Sequence, residues 1–295
     1  MTEYLIAIGI ITLIYILLAL SLNLQWGHTG LINFGLVAFF AIGAYVAALL
    51  TLNGWSIWLA TPVAVVVTAL SAWPLGRMTL SLKEDYLAVI AVGFSEVVRS
   101  VLENEAWLTR GPSGLAGIPR MFENAPPHMR NILLLLTLVV TVVVVAMLLE
   151  RLLRSPFGRS LRGVRDNEMA AAALGKDVVS FKTRSLVLGS GIAGLAGVFY
   201  AHYLNFISPE QFTPDVTFNV WIAVIIGGSG RTLGVILGTI LLVVFLEGTR
   251  FLNDFGIGFS ESELGALRFI VIGAALVLCM LYRPAGLFAP KKGRA

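Results

Sequence analysis

Few residues in this chain are of types that do covalent or metal chemistry, and sequence spacing brings none of them together. Cys279 is the one cysteine and sits inside an apolar run, which rules out disulfides and cysteine-based metal sites. The three histidines, His28, His128 and His202, are scattered and show none of the short ligand spacings of a metal site. AAALGK at 171–176 approaches a phosphate-binding loop but lacks the first glycine the motif requires. No HExxH, GxSxG or dinucleotide fingerprint occurs. The remaining pair is Glu96 and Arg99, three apart and so neighbours on one helix face. They stand in an otherwise apolar segment, where ionisable residues either mark a pathway or pair with each other for structural reasons. If the chain works with ATP, hydrolysis occurs on another chain.

The elements that hold these residues are written in the composition. Hydrophobic residues make up 57% of the 295 positions and charged residues 13%, about half the charged share of an ordinary soluble domain. Mean hydropathy is +0.87. Runs such as NILLLLTLVVTVVVVAMLL (131–149) do not alternate, so a β-barrel is excluded. Apolar runs fall near 4–23, 34–52, 56–75, 86–102, 131–150, 185–204, 217–228, 232–249 and 266–283. The expected fold is all-α: one polytopic transmembrane helical bundle over 1–295, with about nine hydrophobic segments, some of them broken. The run at 217–228 is too short to span alone. If it nevertheless crosses, the termini lie on opposite sides. Of the 21 Lys and Arg residues, 15 then fall on the side of the C-terminus and five on the other. Positively charged loops stay in the cytoplasm, so the expectation is N-terminus outside, C-terminus inside, in a bacterial inner membrane. The net charge of +4 and pI near 9.4 follow from those loops and do not call for nucleic acid.

Two loops stand out. The one at 151–184 contains SPFGRSLRGVRDNEMAAAALGKD (155–177), a polar island expected to be a helix pair. Ser155 can cap a helix with Pro156 at its first position. Phe157, Leu161 and Val164 make one apolar stripe, with Arg159, Arg162 and Arg165 elsewhere. Asp166-Asn167-Glu168 supplies a second cap, MAAAAL a short helix, and Gly175 its stop. A helix of about seven residues cannot stand alone in water. It lies on its own protein or on lipid, or it docks a cytoplasmic partner. The outer loop, 103–130, is rich in Gly and Pro and could meet a binding protein or simply cap the bundle.

Glycines interrupt the apolar runs. GHTGLINFG (27–35) reads as an irregular lead-in to the second segment, with Thr29 and Asn33 facing a pathway, or else as a plain turn. Gly35, Gly228 and Ser229 are further pathway candidates, because GGSG (227–230) breaks a helix next to a short segment. Gly230, Gly234 and Gly238 recur every four residues, the pattern of a close-packing face; GSGIAGLAG (189–197) is similar.

Several blocks, in order, carry a resemblance. These are LNLQWGHTGLINFGLVAFFAIGAYVAALL (22–50), EDYLAVIAVGFSEVVRSVL (84–102) and LTRGPSGLAGIP (108–119). GRSLRGVRDNEMAAAALGKDVVSFK (158–182), AGLAGVFYAHYLNFISPEQF (193–212), VIIGGSGRTLGVILGT (224–239) and YRPAGLF (282–288) follow. Together they resemble the LivM type of branched-chain amino acid permease in bacterial ATP-binding cassette importers. The resemblance implies a transport subunit, not an enzyme, that pairs with a LivH-like permease. It also implies two cytoplasmic ATPases that bind ATP-Mg, and an extracytoplasmic solute-binding protein. This chain itself would bind no cofactor and no metal. It makes the island the coupling loop, with ATPase contact on Gly158, Arg159, Arg162, Asp166, Asn167, Ala171 and Gly175. Urea, short amides or other amino acids are alternative cargoes. A stand-alone secondary transporter or channel predicts more buried carboxylates than Glu96 and an internal repeat.

Overall fold

The computed structural model describes residues 2–79 and 84–254, together with 270–271, 273–274, 276–279, 281–283 and 286–287. In chain order its helices are α1 (Thr2–Leu22), α2 (Leu36–Leu52), α3 (Ile57–Thr79), α4 (Glu84–Asn104), α5 (Ala106–Thr109) and α6 (Pro127–Arg154). There follow α7 (Pro156–Asp166), α8 (Glu168–Ala173), α9 (Val178–Leu204), α10 (Pro214–Gly227) and α11 (Thr232–Asp254). The protein is an all-α membrane bundle, and helices stand at the first eight of the apolar runs. In the ninth, 266–283, the described residues up to Tyr282 are helical and Arg283 is not; the rest of it lies outside the described residues. Four helices are long and apolar enough to cross a membrane by length and composition alone: Thr2–Gly27, Ile57–Thr79, Met129–Arg154 and Val178–Leu204. The strands β1 (Leu115–Ala116) and β2 (Phe206–Ile207) form a two-residue antiparallel pair.

Small residues make α9 the central post. A Cβ on Gly197 would fall 2.1 Å from the Phe40 carbonyl oxygen, and one on Gly43 would fall 2.2 Å from that of Gly194. The backbones of α2 and α9 therefore touch, the close approach that small residues permit in membranes. On the other side, Gly194 lies against Thr68 of α3. By contrast α3 and α6 leave long rows of Leu, Val and Trp exposed, among them Leu70, Trp73, Val140 and Leu148. In water such patches would be liabilities; in a bilayer they are faces solvated by lipid. Pro62 and Pro74 lie inside α3, as membrane helices tolerate.

The bundle has two distinct ends. Asn131 of α6 donates to Glu3 of α1 (3.4 Å), and Tyr4 donates to Glu247 of α11 (3.2 Å). Those termini share the end that carries loop 103–130, which is bound to the C-terminus of α9. There Asn205 (φ +62°) stops the helix, its Nδ2 donates to the Ile118 carbonyl (2.8 Å), and His202 Nδ1 meets the Pro119 carbonyl (2.8 Å). The loop is thus an ordered cap. At the opposite end the 155–177 island meets the breaks near residues 27 and 230. Helix α10, 14 residues and about 21 Å long, runs between these two ends. The Leu287 N–H donates to the Ile226 carbonyl (2.9 Å), so the two described chain ends lie at opposite ends of the bundle.

Candidate functional site

The island folds as the helix pair its sequence predicts. Pro156 opens α7, and Leu161 and Val164 are buried with Phe157 half-buried beside them. Asn167 caps α8 by accepting from the Ala170 N–H (2.9 Å), and Gly175 takes the left-handed conformation (φ +75°) that ends it. Ser155 differs from expectation. Its backbone is extended as a cap requires, but its hydroxyl donates to the Leu152 carbonyl (2.6 Å), finishing α6 instead. Gly158 is needed at the sharp corner between α6 and α7, where a Cβ would meet the Leu153 carbonyl oxygen at 2.3 Å.

Ala171, given to the ATPase contact by the resemblance, reaches the edge of a groove but is mostly buried. It is 7% exposed and packs on Val164 and Val178, because α8 can only persist by docking its apolar side. Met169 on the outward side of α8 and Leu174 just past its end are 83% and 81% exposed. Beside them runs a groove of about 530 Å³ lined by Pro156, Arg159, Gly163, Asp166, Asn167 and Leu174 among others.

Three polar contacts fasten the pair to the bundle. Lys182, on the first turns of α9 and almost wholly buried, pairs with Glu168 at 2.7 Å. Arg159 donates to the Arg154 carbonyl at the end of α6 (3.1 Å), where a positive charge is favoured. Arg165 donates to the Gly27 carbonyl, 138 positions away. Arg162 points elsewhere, into a second cavity beside α11. The Lys182 tie is absent from the sequence-based reading. The available signal was slight: a lysine three residues ahead of the 185–204 apolar run.

The Gly27 carbonyl belongs to a break in α1. Residues Asn23–Gly27 form a π-helical turn, and 30–35 run irregularly into α2. Widened turns of this kind need side chains to complete the hydrogen bonding. Gln25 accepts from Asn33 Nδ2 (2.7 Å), Asn33 Oδ1 accepts from the Gly35 N–H (2.9 Å), and Trp221 Nε1 donates to the Asn33 carbonyl (3.2 Å). Thr29 shares a hydrogen bond with Ser185 (2.7 Å). Thr29 and Asn33, expected to face a pathway, are therefore fully buried and internally satisfied. They hold the irregular lead-in together. Gly35 abuts the Ala91 carbonyl of α4, for the same structural reason. Asn23 and Gln25 are residues the sequence reasoning missed; polar amides at the end of an apolar run were the signal.

The second break meets the first. Gly228 (φ +95°) ends α10, Ser229 is half-buried, and the Gly230 N–H donates to Asn23 Oδ1 (2.8 Å). Gly230 itself (φ +83°) lies in the turn before α11, so it is not part of a helix face. Gly234 and Gly238 do pack as expected: a Cβ on either would come within 2.4 Å of a backbone oxygen of α10. Island, first break and second break thus converge on Gly27, Asn23, Arg165 and Gly230. Elsewhere, Glu96 and Arg99 pair (2.8 Å), and Glu103 joins them (2.8 Å). This row lies half-exposed on α4, flanking the buried stripe of Leu87, Ala91, Ser95 and Leu102. The described residues hold no cluster of three or more His, Cys, Asp or Glu able to take a metal.

Comparison with known proteins accords with this architecture. A family model described as "Branched-chain amino acid transport system / permease component" matches residues 4–280. The branched-chain amino acid permease LivM of Escherichia coli K12 is 34% identical over 95% of this chain and 69% of its own length. LivM of Methanocaldococcus jannaschii is 27% identical over 94% and 91%, and LivH of E. coli K12 is 24% identical over 92% and 90%. No solved structure matches. A match over almost the whole chain, on a bundle of apolar broken helices with a docked polar helix pair, settles the family: this multi-pass membrane chain belongs to the permease components of the branched-chain amino acid transport systems.

Proposed function

We propose that the chain is the LivM-like transmembrane subunit of an ATP-binding cassette importer for branched-chain amino acids, paired with a LivH-like permease. Two ATPases seat on the α7–α8 side and bind ATP-Mg, and a solute-binding protein delivers cargo at the end carrying loop 103–130. The observation that carries this reading is the outward face of α8. A segment outside the apolar bundle exposes Met169 and Leu174 while its other side is locked to α9 and Gly27. Exposed large apolar residues on a rigid knob beside a groove suit a protein partner. A push on the knob reaches both helix breaks through Arg165. The Glu96–Arg99–Glu103 row supports a second permease, because charges at membrane depth must face a partner or a watery path rather than lipid. Glu96, Gly228 and Ser229 remain the pathway residues of this reading.

The test is purification in mild detergent through a tag on this chain. ATPase subunits and a second permease are expected to accompany it, and ATP hydrolysis is expected from the complex but not from the isolated chain. Hydrolysis by the isolated chain, or purification without any ATPase, overturns the reading. Orientation is tested separately. A cysteine at Ser113, exposed on the loop, should react with an impermeant thiol reagent in intact cells. A cysteine at Ser180 should react only after permeabilisation. The reverse pattern would invert the assignment of sides.

A further inference from the structure

The second cavity, about 630 Å³, opens where α6 ends and α11 begins. Helix α1 packs against both helices. Arg154, Arg162 and Arg231 line it, with one carboxylate, Glu150, already paired with Arg154 at 3.2 Å. Among the described residues neither Arg162 nor Arg231 has an acidic partner. Thr232, Leu233 and Gly234, the first residues of α11, also line the cavity. Their N–H groups have no carbonyl one turn earlier in the helix, so this end is suited to an anion. An independent observation points the same way. His28 lines the cavity and is 6% exposed, yet its Nε2 has no hydrogen-bond partner. Burial first, then Arg165 and Arg162, push its imidazole down to about 4, so it adds a polar group without a fourth positive charge.

What lies below the cavity distinguishes a lipid from a protein. Leu233 is 72% exposed, and the row continues along α11 through Leu237, Ile240, Leu241 and Val244. Across the cleft α6 exposes Met147 and Val143, three and seven residues before Glu150 and so on its helix face. Charge at the mouth and two apolar walls running toward mid-membrane reproduce the profile of a phospholipid, phosphate above acyl chains. We propose that this cleft binds an anionic phospholipid from the leaflet on the island's side, its phosphate held by Arg162, Arg231 and the first turn of α11. The site does not depend on the cargo or on the ATPase reading, and its lipid would sit directly beside Arg165 and Gly230, where the breaks meet.

Delipidated full-length chain in detergent, titrated with phosphatidylglycerol and phosphatidylcholine of identical acyl chains, tests this by native mass spectrometry. Wild type should prefer phosphatidylglycerol. Arg162→Gln with Arg231→Gln should lower that preference by about tenfold or more, and Arg231→Gln alone by an intermediate amount. Arg110→Gln, at the opposite end, should leave it unchanged. Millimolar inorganic phosphate should compete only weakly, because it lacks the acyl chains. Equal binding of the two lipids, or an unchanged preference in the double variant, overturns the proposal. Full displacement by phosphate makes it a free-anion site and overturns the lipid assignment. Loss of the preference whenever the ATPases or second permease are bound makes the cleft a protein seat, which overturns it too.

Discussion

In the Ala171→Arg variant, ATPase subunits should no longer co-purify with the chain and uptake should fall to background, while the chain still inserts in normal amounts. Ala171 sits against Val164 and Val178, and an arginine cannot keep that apolar contact with its guanidinium inside it. Burying an unpaired charge costs several kcal/mol. That exceeds what a six-residue helix gains from Asn167 capping, about 1 kcal/mol, so α8 undocks. Met169→Asp is the companion variant. It leaves the docking side intact and removes only an outward apolar contact. Fully burying a methionine is worth about 1.5–3 kcal/mol, or about ten- to a hundredfold in affinity. Limited proteolysis separates the two effects: cleavage between Arg159 and Lys176 should rise for Ala171→Arg and stay at wild-type level for Met169→Asp. Wild-type ATPase recovery with both variants would remove the knob from the coupling mechanism.

Gly197→Leu should have the other large effect, loss of the protein from the membrane. Its Cβ would stand 2.1 Å from the Phe40 carbonyl oxygen and 2.7 Å from the Ala44 nitrogen. Both are backbone atoms of α2, so no side chain can swing away and the two helices must part. Overpacking of this kind costs about 1–3 kcal/mol where neighbours can yield, and more where backbone must move. The network of Gln25, Asn33 and Trp221 would be strained along with α2. Gly93→Leu is the control, since nothing lies within 4 Å of a Cβ there. Equal membrane abundance of the two variants, measured against wild type, would show that α2 and α9 do not need this contact.

Much of the architecture was legible along the chain. The apolar runs, the Pro156 start, the Asn167 cap and the Gly175 stop depend on interactions within one or two helical turns, and such signals are local. The pairing of Glu96 with Arg99 and the packing of Gly234 and Gly238 are equally short-range, and they too could be read from spacing. Gly230 marks the limit. Its fourfold spacing matched the packing glycines, but its partner is Asn23, 207 positions away, which placed it in a turn. Arg165 and Gly27, Lys182 and Glu168, and the inward burial of Thr29, Asn33 and Ala171 were decided in the same way by tertiary structure. The physical reason is the solvent. In water a helix shows its inner side by its apolar stripe, but in a bilayer lipid-facing and core-facing positions are both apolar. The sequence therefore determined which segments are helical and where they break. Only packing, through the glycines of α9 and the buried amides of the first break, decided which face of each helix turns inward.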